Sequence, residues 1–150
     1  KNIYLDLYVS SKAKETRAVS ALNIATYYEF ESQESGPNRN KAFDWYLISA
    51  KLGNTDAMLN LGGMLEDSKQ YKQAFKWFEM AYKEGNSGAT QALGIAYREG
   101  RGVEKDLEKS FILFSKAENL GSINAKFNLA TAYDQGEGVQ QDKVKAFEWF

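Results

Sequence analysis

The chain has 150 residues, which suits a single domain, and its 19 basic and 20 acidic side chains leave a formal net charge of −1. It contains neither cysteine nor histidine, which excludes disulfides, thiolate chemistry and the commonest general base and metal ligand. The near-neutral charge gives no reason to expect nucleic acid, and no apolar run approaches the roughly 20 residues of a membrane span.

The two ends of the sequence suggest a fragment. It begins at Lys1 rather than Met and stops at Phe150 inside an apolar helical pattern. We therefore expect that a signal peptide could have been removed from the N-terminus, and the cellular compartment stays open. Pro37 is the single proline, and Ala, Leu, Lys, Glu and Gln are abundant, which favours helices.

Residues 1–16 fit the rest of the sequence least well. Their apolar residues alternate from Ile3 to Val9, which is the period of a β-strand. The segment can instead be read as part of an earlier, decayed repeat, in which Leu5 and Tyr8 pack as residues of a second helix. A lone strand would have no partner, whereas stacked repeats need neighbours or caps, so the context favours the helix.

From residue 17 onward, three motifs recur in a fixed order. The first contains Ile or Leu, then Ala or Gly, then a large residue three positions later, and its anchors are spaced 37, 32 and 36 residues apart. The second is Lys or Gln, a small residue and Phe; the third is a glycine followed by Asn or Ser. A period of about 36 residues is the signature of a solenoid. The anchors of the first motif are Ile24, Leu61, Leu93 and Leu129.

Each repeat is predicted to be an antiparallel hairpin of two helices. In a first helix, Ala89, Leu93 and Tyr97 stand at i, i+4 and i+8, which places them on one face. Gly94 lacks a side chain, so another helix can approach it closely. A glycine ends each second helix and an Asn or Ser caps the helix that follows. These pairs are Gly53 and Asn54, Gly85 and Asn86, and Gly121 and Ser122.

A glycine loop joins the two helices in the third and fourth repeats. Residues 99–106 (EGRGVEKD) match residues 135–142 (QGEGVQQD) position by position. The first glycine ends the first helix, the second forms the turn with a valine, and the aspartate caps the second helix. A phosphate-binding loop would need a preceding strand and a Lys-Ser/Thr pair, so we interpret the loop as structural. Its key residues are Gly100, Gly102, Val103 and Asp106, and Gly136, Gly138, Val139 and Asp142.

These motifs resemble the Sel1-like repeat, a relative of the tetratricopeptide repeat. The family pattern Ala-x-x-x-Leu-Gly-x-x-Tyr, Gly-x-Gly-Val, Asp, Lys-Ala and an aromatic residue covers about residues 17–150. The second repeat lacks the glycine loop, and Ser110 replaces the usual Ala. The resemblance implies an all-α fold, a right-handed α/α superhelical solenoid of antiparallel helix hairpins. It also implies a scaffold or adaptor role without catalytic residues.

The predicted organisation is a divergent segment or decayed half-repeat at residues 1–16, followed by four repeats. The second repeat has a short loop and the fourth is truncated. Because the chain stops inside a second helix, an apolar end is expected, and self-association through it could follow. The predicted repeats are residues 17–53, 54–85, 86–121 and 122–150.

The candidate binding surface follows from the repeat geometry. In tetratricopeptide-like stacks the first helices line the concave face, which is the usual binding surface. The side chains of the first helices that point to this face form three rows, which carry acidic residues and a few apolar ones. Such a surface suits an extended or helical segment of another protein that has basic and apolar side chains. The alternative is an ordinary solvated face, with Leu22, Leu59 and Phe127 packing between repeats. The predicted binding residues are Leu22, Thr26, Glu29, Asp56, Leu59, Gly63, Glu66, Gln91, Ile95, Arg98, Asn124, Phe127, Thr131 and Asp134.

Two other classes of function are disfavoured. Trp45, Trp77 and Trp149 could stack on single-stranded nucleic acid, but they share one repeat position in the second helices and no basic groove accompanies them, so packing is the better interpretation. Carboxylates are plentiful, but none has a partner base or nucleophile, and the sequence DQGEG lacks the spacing of a calcium loop. No enzymatic activity, cofactor or metal is therefore expected.

The function predicted is an adaptor that binds a partner protein through the first helices. The first alternative is a dedicated inhibitor or immunity protein of the same fold, which would block one enzyme or toxin. The second is a glycan- or peptidoglycan-binding module that uses the same groove. An inhibitor should bind one partner tightly, and glycan binding should be insensitive to salt.

Overall fold

The computed structural model describes the backbone of residues 3–31 and 38–149, with side chains described for residues 10–30 and 38–149. All regular structure in these ranges is helical, which confirms the predicted all-α class. Rather than one compact body, the chain forms two compact units, Lys1–Met64 and Leu65–Phe150. The helices are α1 (Ile3–Thr26), which continues into a π-helix (Tyr27–Glu31), α2 (Arg39–Lys51), α3 (Thr55–Asp67), α4 (Tyr71–Lys83), α5 (Ser87–Glu99), α6 (Leu107–Asn119), α7 (Ile123–Gln135) and α8 (Lys143–Trp149).

Helix α1 answers the question of the N-terminal segment. It runs without a break through 24 residues from Ile3 to Thr26, so the strand alternative is wrong for residues 3–16. The helix that the context favoured is therefore confirmed for residues 3–16, although the local alternation of apolar residues has the period of a strand.

In the first unit, α1 and α2 meet through small side chains. Ala18, Ala21 and Ala25 of α1 are buried at helical spacing, as are Ala42 and Ala50 of α2. These short side chains allow the two backbones to approach closely. A buried hydroxyl uses this proximity, because Ser49 Oγ donates a hydrogen bond of 2.6 Å to the backbone oxygen of Ala18 on the neighbouring helix.

The predicted helix caps are present with one exception. Asn86 Oδ1 accepts a hydrogen bond from the Ala89 N–H, and Asn54 Oδ1 accepts one from the Ala57 N–H. Asp106 Oδ1 accepts from the Lys109 N–H, which lowers the pKa of this carboxyl. Ser122 precedes α7 but makes no side-chain cap; its hydroxyl instead donates to Gln91 Oε1 at 2.7 Å. This hydrogen bond joins the start of α7 to α5.

The second glycine of each loop touches the preceding second helix. Gly102 has φ +73°, and a Cβ there would lie 2.9 Å from the Lys72 backbone nitrogen and closer still to the Tyr71 carbonyl. Gly138 repeats the arrangement against Leu107 and Glu108 at the start of α6. Real Cβ atoms essentially never come within 3.0 Å of a heavy atom outside their own residue and its chain neighbours. The loop is therefore a packing contact between consecutive repeats, as well as a turn.

The recurring tyrosine, phenylalanine and lysine form one contact across repeats. The Tyr97 ring of α5 meets the Phe75 ring of α4 edge to face, with centroids 5.6 Å apart. On the same tyrosine, Lys109 of α6 places its ammonium 5.3 Å from the ring centroid. Phe111, Tyr133 and Lys145 repeat this geometry one unit further on. The second repeat carries Leu65 and Gln73 in place of the tyrosine and the lysine, so both partners change together.

Candidate partner-binding surface

All fourteen predicted binding residues keep some solvent exposure, and they divide between the two units. Asp56, Asn124 and Phe127 are exposed and the other eleven are half-buried. The first unit contains Leu22, Thr26, Glu29, Asp56, Leu59 and Gly63; the second contains Glu66, Gln91, Ile95, Arg98, Asn124, Phe127, Thr131 and Asp134.

In the first unit, Glu29 is held by the interior. The hydroxyl of Tyr46, a fully buried residue of α2, donates a hydrogen bond to Glu29 Oε2. Burial raises the pKa of the tyrosine far above its usual value, and the neighbouring Glu29 carboxylate raises it further. The hydroxyl therefore stays protonated as a donor. Glu29 has a structural partner that the prediction of a binding residue did not anticipate.

In the second unit, two neighbouring first helices present their predicted residues side by side. Hydrogen bonds join the helices, because Ser122 at the start of α7 donates to Gln91 of α5, and Arg98 Nη1 of α5 donates to Asn128 Oδ1 of α7 at 3.1 Å. We call this the first-helix surface of unit 2. It consists of Gln91, Ile95 and Arg98 on α5 and Asn124, Phe127, Thr131 and Asp134 on α7.

The apolar and acidic character of this surface is concentrated on α7. Phe127 is 62 % exposed, and its backbone oxygen accepts a hydrogen bond from the Thr131 hydroxyl at 3.0 Å. Asp134 stands at the end of the same helix, and its carboxylate accepts a hydrogen bond from the Gln135 amide at 3.5 Å. An aromatic side chain and a carboxylate therefore occupy one helix that also faces solvent.

Around Glu66 of α3, the predicted row of binding residues is less acidic than expected from the sequence. Arg101 lies 2.6 Å from a Glu99 carboxylate oxygen and 3.7 Å from Glu66 Oε1, and Arg98 lies 3.6 Å from the other oxygen of Glu99. Two guanidinium groups thus offset two carboxylates. Burial raises the pKa of Glu66 above its usual value, and the nearby Arg101 opposes this shift without cancelling it. The fixed negative charge of the first-helix surface of unit 2 comes mainly from Asp134.

Two residues of this network were absent from the predicted set. Arg101 lies between the two glycines of the glycine loop, and Asn128 is buried at the polar position of the first motif. The repeat pattern contained a signal for Asn128. Asn60 occupies the same position in the second repeat, and its side chain also forms a hydrogen bond to another helix, at Tyr46. Asn128 is further satisfied because its amide donates to the Asn124 backbone oxygen.

Within the ranges that the structure describes, His, Cys, Asp and Glu form no group able to hold a metal ion. None of the helices in the same ranges combines the length and hydropathy needed to cross a membrane.

Comparison with known proteins identifies the repeat. The family model described as Sel1 repeat matches residues 18–54, 55–86, 88–122 and 123–150. The chain belongs to the Sel1 repeat family. Among curated proteins none matches the sequence. The similarity expected from the motifs is therefore shown, and with it the helical-repeat solenoid class.

Two solved Sel1-type structures resemble the chain over most of its length. A protective antigen of uropathogenic Escherichia coli strains, which displays an SLR fold, is 32 % identical with a TM-score of 0.82 over 88 % of this chain. A Sel1 repeat protein from Oxalobacter formigenes is 26 % identical with a TM-score of 0.80 over 89 % of this chain. The match spans 29 % of the first protein and 56 % of the second.

Sel1 repeat proteins generally act in protein–protein interaction, and their fold is typically a non-catalytic scaffold. The protein-binding role predicted for this chain is therefore the role typical of its family.

Proposed function

We propose that this Sel1 repeat chain is an adaptor whose first helices bind a protein segment with basic and apolar side chains. The observation that carries the proposal is the first-helix surface of unit 2. It places exposed Phe127 and the carboxylate of Asp134 on one helix, beside a second helix that is tied to it by hydrogen bonds.

The order of this surface supports binding. Arg98 is fixed by Asn128 and Glu99, and its guanidinium lies 5.4 Å from the centroid of the Phe114 ring. Side chains that are already fixed lose less conformational entropy when a partner docks, so more of the contact energy appears as affinity. A polar rim of this kind around an aromatic anchor is common at protein interfaces.

The charge distribution gives the partner's chemistry. Because the guanidinium groups of Arg98 and Arg101 offset Glu66 and Glu99, the negative charge that remains is at Asp134. A lysine or arginine of the partner is expected beside Asp134, and an apolar residue is expected against Phe127. The contribution of an ion pair with this half-buried carboxylate falls as salt concentration rises.

The double variant Phe127→Ser with Asp134→Lys tests the proposal. We expect it to capture at least about tenfold less of the partner from a lysate of the source organism, because it removes the apolar anchor and reverses the charge. The captured proteins are quantified by mass spectrometry at low and at high salt. The variant counts as folded if it has the same melting temperature as the wild type.

A matched control separates this surface from general changes of charge and hydropathy. Met80→Ser with Glu104→Lys also replaces an exposed apolar residue and an exposed carboxylate, but outside the first helices. We expect it to capture the same proteins as the wild type. Equal capture by all three chains would refute the proposed surface, and one salt-resistant partner bound in the nanomolar range would favour the inhibitor alternative.

A further inference from the structure

A groove lies in unit 2 between the second helices α4 and α6, with the first helix α5 as its floor. Its narrow end is a cleft of about 260 Å³. The apolar lining residues there are Phe75, Leu93, Ile112 and Leu113, of which Leu93 is buried and Ile112 is 54 % exposed. The walls are therefore apolar and open to solvent, which suits one or two large apolar side chains of a ligand.

The wide end of the groove is basic. It adjoins the narrow end through Tyr82, Lys83 and Lys116, which line both parts, and it encloses about 460 Å³. No carboxylate lines the wide end among the side chains that the structure describes. Glu79 lines the narrow end, and Lys109, also there, is 3.4 Å from Asp106, so the excess positive charge is at Lys83 and Lys116.

Lys116 is positioned rather than free to move. Its ammonium donates a 2.9 Å hydrogen bond to the Tyr82 hydroxyl and lies 5.6 Å from the centroid of that ring. An ammonium has three N–H donors, so two remain for a ligand. Within the described part of the chain, neither Lys83 nor Lys116 has a carboxylate at ion-pair distance.

Repeat packing does not explain the Tyr82–Lys116 pair. Counted from the shared phenylalanines Phe43, Phe75 and Phe111, the position of Lys116 is occupied by Ile48 and Met80 in the other repeats. The position of Tyr82 is occupied by Ala50 and Glu118. The residues at these two positions differ from repeat to repeat, so the Tyr82–Lys116 pair is not part of the packing pattern that the repeats share.

We propose that this α4–α6 groove binds a segment of a partner protein in which one or two large apolar residues are followed by carboxylates. The apolar side chains enter the narrow end, and the carboxylates accept hydrogen bonds from Lys83 and Lys116 at the wide end. The second helices, each about 20 Å long, offer a groove that about six extended residues would span. This partner is opposite in charge to the one proposed for the first helices.

A random peptide library displayed on phage provides the probe. We expect selection on the wild-type chain to enrich peptides that combine Leu, Ile or Phe with Asp or Glu, and we expect the same selection on Lys83→Glu with Lys116→Glu not to enrich them. An enriched peptide, labelled and titrated by fluorescence anisotropy, should bind the double variant at least about tenfold more weakly.

The control is Lys76→Glu with Lys126→Glu, which changes net charge equally at exposed lysines outside the groove. It should bind within about threefold of the wild type. Ile112→Asp should weaken binding as well, since it places a carboxylate among the apolar walls. The proposal would be overturned if the selection enriched basic or uncharged peptides, or no peptides at all. It would also be overturned if the control variant lost as much peptide affinity as the double variant, or if a labelled single-stranded oligonucleotide bound more tightly than the peptide. Because Phe127 and Asp134 are untouched, failure here leaves the first-helix proposal intact.

Discussion

Gly102→Ala is expected to lower the free energy of unfolding by about 2–5 kcal/mol, the largest effect among the substitutions considered. Two costs add. The φ of +73° lies in the left-handed region, which costs a non-glycine residue roughly 1–2 kcal/mol. The new methyl group would also overlap the backbone of Tyr71 and Lys72, which belongs to a helix and cannot rotate away as a side chain would. Urea unfolding followed by circular dichroism measures the loss.

Gly85→Ala is the matched control for this prediction. Its φ of +81° imposes a similar strain, but a Cβ there would meet no atom within 4 Å. Its expected cost is therefore only the conformational part, roughly 1–2 kcal/mol. Equal destabilisation by the two substitutions would show that the glycine loop is only a turn and makes no packing contact with the preceding repeat.

Glu29→Ala is expected to lower the free energy of unfolding by about 1–3 kcal/mol, because a buried donor loses its acceptor. The Tyr46 hydroxyl is enclosed by the first unit and donates to the Glu29 carboxylate, and only its bond with the Asn60 side chain would remain. Glu29→Gln keeps an acceptor oxygen at the same place and should recover most of the loss. Chemical unfolding of the two variants provides the comparison.

A double-mutant cycle with Tyr46→Phe isolates the interaction. If the hydrogen bond is the cause, the double variant Glu29→Ala with Tyr46→Phe should be more stable than the two single losses added together would predict, with a coupling of about 1 kcal/mol. Additive losses would mean that Glu29 stabilises the unit in some other way. Retention of partner capture by Glu29→Gln would further indicate that this residue belongs to the interior rather than to the binding surface.

Much of this fold can be predicted from the sequence because repetition multiplies weak signals. A single Gly-x-Gly or a single Phe indicates little, but the same residues at a period of about 36 reveal which positions all repeats need. The Asp106 cap, the left-handed Gly100 and the close approach of Phe114 to Gly94 were all predictable in this way. Their cause is local, either in backbone conformation or in the space between adjacent helices.

The features that could not be predicted depend on distant side chains. The ion pairs of Arg101 with Glu66 and Glu99 need three segments to meet, so a count of carboxylates overestimated the acidity of the surface. Glu29, which contacts Tyr46, lies in the π-helix that follows α1. A π-helix has more residues per turn than an α-helix and so redirects its side chains, and no local sequence motif predicts it here.

The central claim, that the first helices contact a partner protein, is tested most directly by site-specific photo-crosslinking. Benzoylphenylalanine is incorporated at position 127, or at position 80 as the control on a second helix, and each chain is irradiated in a lysate of the source organism. We predict that position 127 crosslinks to a protein, through a segment with basic and apolar residues, and that position 80 does not. No crosslinked protein at position 127, or the same products at both positions, would contradict the claim.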